Sequence, residues 1–63
     1  MELAARVVLA SRFCDHWLSD HGEEELPRTQ DVFDFLKDNY YQYATMKNAE
    51  DVRQEYRLIM GIP

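Results

Sequence analysis

Sixty-three residues allow one domain, and a chain of this length buries only about 60% of the surface that its unfolded form exposes. Twelve acidic residues against seven basic ones, a net charge of −5, argue against a protein that grips nucleic acid through its phosphates, because that needs a basic footprint. The single cysteine, Cys14, excludes an intrachain disulfide, and an apolar content of 46% with 13% aromatics is too high for a disordered chain.

The first ten residues carry Arg6 inside a short apolar stretch, with Arg12 just beyond, so neither a signal peptide nor a membrane span is expected there. With one thiol and no secretion signal, the reading is a protein of the cytoplasm. From Glu2 to His21 no glycine or proline interrupts the chain, which predicts helix 1 over about 2–21, stopped by a left-handed Gly22. Leu3, Val7, Ala10, Cys14, Trp17 and His21 advance in steps of three and four along one side, and Leu18 widens it. Leu9 and Phe13 form a second pair on a different side, with Val8 between the two stripes.

Glu23 to Arg28 is a polar connection broken by Pro27, after which Thr29 can cap helix 2, predicted over about 30–44, with Asp31 in its first turn. Val32, Phe33, Leu36, Tyr40 and Tyr43 make its main face. Phe35 and Tyr41 point elsewhere, Phe35 beside the acidic row Asp31, Asp34, Asp38. Asn48, followed by Glu50 and Asp51, signals a second cap and predicts helix 3 over about 49–60, ended by Gly61. Val52, Tyr56 and Ile59 face inward there and Arg53, Gln54 and Arg57 mostly outward, the pattern of a covering helix. The fold class that follows is all-α, three helices in one domain spanning 1–63.

A helix apolar on two sides needs cover on both, and two short helices of the same chain cover one side well. The expectation is a homodimer in which helix 1 pairs with its symmetry mate through Leu3, Val7, Leu9, Ala10, Phe13, Cys14 and Trp17. The competing reading is a monomer with Leu9 and Phe13 packed under the connection to helix 2.

No chemistry-bearing constellation emerges. Cys14, His16 and His21 do not have the spacing of a closed zinc site, and a buried thiol with a helix-end histidine explains them; a zinc shared across a dimer interface is the remaining alternative. No nucleophile, base and orienting group assemble, no glycine-rich loop cradles phosphate, and the carboxylate runs lack a cavity to shift their pKa values. No catalytic residue, metal or cofactor is expected. The acidic row Asp31, Asp34, Asp38 flanked by Phe35 and Tyr41 is the candidate surface for a basic protein partner, set against the plain reading of a solubilising face. An alternative function, DNA binding through helix 3, would use Lys47, Asn48, Arg53, Gln54 and Arg57, but Glu50, Asp51 and Glu55 lie among them.

The run from Met1 through Leu9-Ala10-Ser11-Arg12-Phe13-Cys14-Asp15-His16-Trp17-Leu18 to Tyr40-Tyr41-Gln42-Tyr43 and Arg57-Leu58-Ile59-Met60-Gly61-Ile62-Pro63 resembles the small open-reading-frame products encoded between the exonuclease and excisionase genes of lambdoid phages. The likeness covers the whole chain and contains no functional signature. It implies an early accessory protein of the host bacterial cytoplasm that biases phage development through contacts with a host or phage protein, and it carries over no site residues.

Overall fold

The computed structural model describes all 63 residues as three helices and no strands: α1, Leu3–Leu18; α2, Thr29–Asn39; and α3, Met46–Met60, with a 3-10 turn at Tyr41–Tyr43 joining the last two. The molecule measures 29 × 21 × 16 Å.

Helix α1 stops at Leu18, three residues short of the expected His21. Ser19 turns its hydroxyl back to donate to the His16 carbonyl at 2.8 Å, and the N–H groups of Asp20 and His21 both reach the Trp17 carbonyl. Serine and aspartate compete in this way with the helical ladder. Gly22 is not a left-handed stop; Gly61 is the one residue at positive φ, at 72°. There the N–H of Ile62 bonds Arg57 and that of Gly61 bonds Leu58, satisfying the last carbonyls of α3.

The other two helix starts also differ from expectation. Thr29 is the first residue of α2 and not its cap: Asp31 accepts from the Arg28 backbone N–H at 2.8 Å, and the Thr29 hydroxyl donates to Glu50 on α3. Helix α3 begins three residues early because Thr45, not Asn48, is the cap, its hydroxyl accepting from the Asn48 N–H. Asn48 instead donates through its side chain to the Tyr43 carbonyl, tying the 3-10 turn to α3. Helix α2 ends at Asn39, five residues short of the expected Ala44: the Asn39 side-chain amide donates to the Phe35 carbonyl, and Tyr41–Tyr43 form the 3-10 turn instead of continuing the helix.

The core is built from all three helices: Leu9, Ala10, Phe13, Cys14 and Trp17 of α1, Val32, Phe35 and Leu36 of α2, and Ala49, Val52 and Tyr56 of α3. Phe13, fully buried, lies at its centre. The rings of Phe35 and Tyr56 meet it edge-on at 5.4 and 5.6 Å, and Trp17 stacks at 5.8 Å, within the 4.5–7 Å range of favourable aromatic pairs.

Three expectations are corrected by this core. Leu9 and Phe13 are not spare surface for a second subunit, since together with Ala10, Cys14 and Trp17 they are buried within the chain; of the seven proposed interface residues only Leu3 and Val7 remain exposed. The two stripes of α1 are one broad arc, because α1 packs along α3 while Phe13 and His16 reach the Phe35 ring of α2. Phe35 is a core residue, reached by Phe13 from α1. Helix α3 is no mere cover: it packs against both other helices and supplies three fully buried residues, whereas Ile59, expected inward, is about half exposed.

One polar cluster joins α2 to α3. Glu50 accepts a two-pronged bond from Arg53, at 3.0 and 2.7 Å, together with the Thr29 hydroxyl. Arg53 and then Thr29 hold the Glu50 carboxyl down to about 2 against an ordinary value of 4.5. A carboxyl depressed on folding stabilises the fold fully above its unfolded pKa and loses that contribution as pH falls through the folded one. The expected result is a melting temperature that falls between about pH 4.5 and pH 2 with a component that Glu50→Gln removes. Parallel melting curves for the variant and the parent across that window would show the cluster to be inert.

Candidate functional site

The acidic row lies where α1 and α2 diverge. Asp31, Asp34 and Asp38, spaced by three and four, share one side of α2, and that side faces the C-terminal part of α1. Between the helices lies an open cleft of about 240 Å³. Trp17 and Phe35 line it together with His16 and His21 on one flank and the three aspartates with Asn39 on the other.

The aromatic lining is held by close contacts. Trp17 and His21 are stacked at 3.6 Å with planes 5° apart, His21 Nδ1 lies 3.1 Å from the Trp17 carbonyl, and Trp17 donates its indole N–H to the Glu25 carbonyl at 2.8 Å. His16 packs on the Phe35 ring at 4.9 Å. The last Trp17 bond also ties the connection from Ser19 to Arg28, in which Pro27 is buried, to α1.

The aspartates are not equivalent. Asp31 spends an oxygen on the start of α2, and Asp34 accepts from the Gln30 amide at 2.9 Å. Asp38 takes part in no hydrogen bond or ion pair within the chain, so Asp34 and Asp38 carry the charge that the cleft offers to a ligand. Carboxylates at the mouth of such a cleft suit a guanidinium or an ammonium group, which gains a charge-assisted ion pair.

The structure brings together four of the five residues expected at a partner surface, Asp31, Asp34, Phe35 and Asp38, and leaves out the fifth. Tyr41 sits on the 3-10 turn beyond the end of α2, about three-quarters exposed and outside the cleft. Phe35 contributes a buried wall rather than an exposed anchor. Sequence reasoning missed the α1 half of the cleft, His16, Trp17 and His21. The one available signal was that Trp17 and His21 lie four residues apart on the face that also carries the core.

Cys14 is buried, and burial followed by the nearby Asp15 raises its thiol pKa, the setting of an unreactive cysteine. No group of three or more His, Cys, Asp or Glu side chains is arranged to hold a metal ion. On α3 the basic residues proposed for DNA contact are engaged within the chain: Lys47 pairs with Asp51 at 3.2 Å and Arg53 with Glu50. No helix is long and apolar enough to cross a membrane. Comparison with protein-family models, with curated proteins and with solved structures returns no match to this chain.

Proposed function

We propose that this protein is a non-enzymatic regulator that captures a basic segment of another protein in the α1–α2 cleft. The observation that carries the reading is the pairing of Asp34 and Asp38 with the aromatic walls of Trp17 and Phe35 in one preformed cleft. A lysine or arginine side chain entering it meets the Asp34 and Asp38 carboxylates on one flank and the His16 and His21 rings on the other, and the net charge of −5 steers cationic partners toward the molecule. The lambdoid-phage resemblance fits an early accessory protein that acts in the host cytoplasm on a host or phage protein. DNA binding through α3 has less support, since two of its cations already have carboxylate partners and the chain as a whole repels a polyanion.

Trp17 is the only tryptophan, so its fluorescence reports on the cleft directly. Titration with an arginine-rich peptide is expected to change that fluorescence, with affinity falling as salt rises. Asp34→Lys with Asp38→Lys is expected to weaken binding at least about tenfold while leaving the helical content intact, because both side chains are exposed on α2. Equal affinity for the parent and the double variant would remove the cleft from consideration.

A further inference from the structure

A second charged feature lies outside this cleft. Although the chain is strongly acidic, three of its five arginines, Arg6, Arg53 and Arg57, line one open groove of about 340 Å³ at the C-terminal part of α3. Gln54 adds an amide, and Leu58 and Ile62 add an apolar wall. The guanidinium groups are held in place by their own chain: Arg6 donates through Nε to Glu55 at 3.1 Å, Arg53 clasps Glu50, and Arg57 donates to the Pro63 carbonyl. Arg6 and Arg53 already hold carboxylate partners, so Arg57, which spends one of its five N–H donors on Pro63, is the guanidinium that an incoming carboxylate meets.

The same chain presents the matching shape. Glu23, Glu24, Glu25 and Leu26 form an exposed strap, three carboxylates followed by a leucine about half exposed. Its backbone is pinned, since Glu25 donates to the Gly22 carbonyl and accepts from Trp17, so little ordering remains to be done on docking. Carboxylates on the strap answer guanidiniums in the groove, and Leu26 answers Leu58, about two-thirds exposed on the groove wall.

We propose that the strap of a second copy docks in this groove, and that two such contacts related by a two-fold axis close a homodimer. Reciprocal contacts of this kind, in which residue i meets residue j and j meets i, are what a two-fold interface produces. Screening over about 8 Å at physiological ionic strength removes most of the repulsion between two acidic chains and leaves the groove contacts to decide. The dimer therefore rests on surface side chains and not on Leu9 and Phe13.

Sedimentation equilibrium at about 100 µM tests it with charge swaps at positions that hold no ion pair. The parent is expected to sediment at twice its 7.5 kDa mass. Gln54→Glu with Arg57→Glu makes the groove acidic like the strap, and Glu24→Lys with Glu25→Lys makes the strap basic like the groove, so each variant alone is expected to be monomeric and fully helical by circular dichroism. An equimolar mixture of the two restores both contacts and is expected to return to the dimer mass. A parent that stays at 7.5 kDa, variants that remain dimeric, or a mixture that stays monomeric would each overturn the proposal. Asp34→Lys with Asp38→Lys leaves this self-association unchanged, so failure here and failure of the cleft reading are separate results.

Discussion

Phe13→Ala is expected to remove at least about a third of the stability of the fold. The ring is fully buried and touches aromatic side chains from all three helices, Trp17 on α1, Phe35 on α2 and Tyr56 on α3. Truncating a buried phenylalanine costs about 3–5 kcal/mol, the transfer free energy of the ring plus the cavity left behind. Against this, a domain of 63 residues has a net stability of about 3–9 kcal/mol at 0.05–0.15 kcal/mol per residue. Helical circular dichroism should be largely lost, or the melting temperature should fall by at least about 12 °C. The measurement also separates two roles for Phe13. A subunit-interface residue would give a folded monomer with little change in melting temperature in dilute solution, and that outcome would contradict the core described above.

Tyr56→Phe is expected to act in the opposite direction and raise stability. Tyr56 is fully buried, and its hydroxyl has no hydrogen-bond partner in the protein. Burial first, and then the proximity of Cys14 and Glu23, pushes its pKa up, so the phenol stays protonated and keeps its polar O–H in an apolar setting. A buried polar group left unsatisfied costs about 1–3 kcal/mol, whereas the ring itself contributes fully to the core through its edge contact with Phe13. Removing the oxygen keeps the ring and removes the penalty. The expected gain is about 1 kcal/mol or more, a rise of at least about 4 °C in melting temperature for a domain of this size. A fall in melting temperature on the same substitution would mean that the hydroxyl is well bonded in solution.

These two substitutions bear on the same feature, an aromatic core that is large for so small a chain. Its stability is concentrated in a few rings, and the polar groups at its margins are mostly used to fix geometry: Thr45 caps α3, Asn48 ties down the 3-10 turn, and Glu50 with Arg53 and Thr29 locks the start of α2 to α3. Asp34 and Asp38 in the cleft, and Gln54 and Arg57 in the groove, lie outside this core, so charge can be changed at them without a cost in packing. That separation is why the binding and self-association tests are independent of folding.

The number and type of elements were legible from one-dimensional information. Helical period, the scarcity of glycine and proline, and Gly61 after the last periodic residue are local signals, and α-helices are made by local hydrogen bonds. The acidic row was legible for the same reason, because spacings of three and four place Asp31, Asp34 and Asp38 together on any helix. The start of α3 was misplaced where two capping residues competed, Thr45 and Asn48, and the ends of α1 and α2 where Ser19 and Asn39 turn their side chains back onto backbone carbonyls.

Tertiary structure alone decided which apolar faces were spare. Periodicity gives the direction of Leu9, Phe13 and Phe35 around their own helix axes, but whether those directions point at water or at a neighbour depends on how three axes cross. Laying α1 and α2 on α3, with Phe13 and His16 reaching across to Phe35, turned two stripes into one arc, put Phe35 into the core, and made α3 the element against which both others pack. It also joined Trp17 and His21 to aspartates far away in the chain, and Arg6 to arginines nearly fifty residues on. Such sites are formed by non-local contacts, whose partners no helical period specifies.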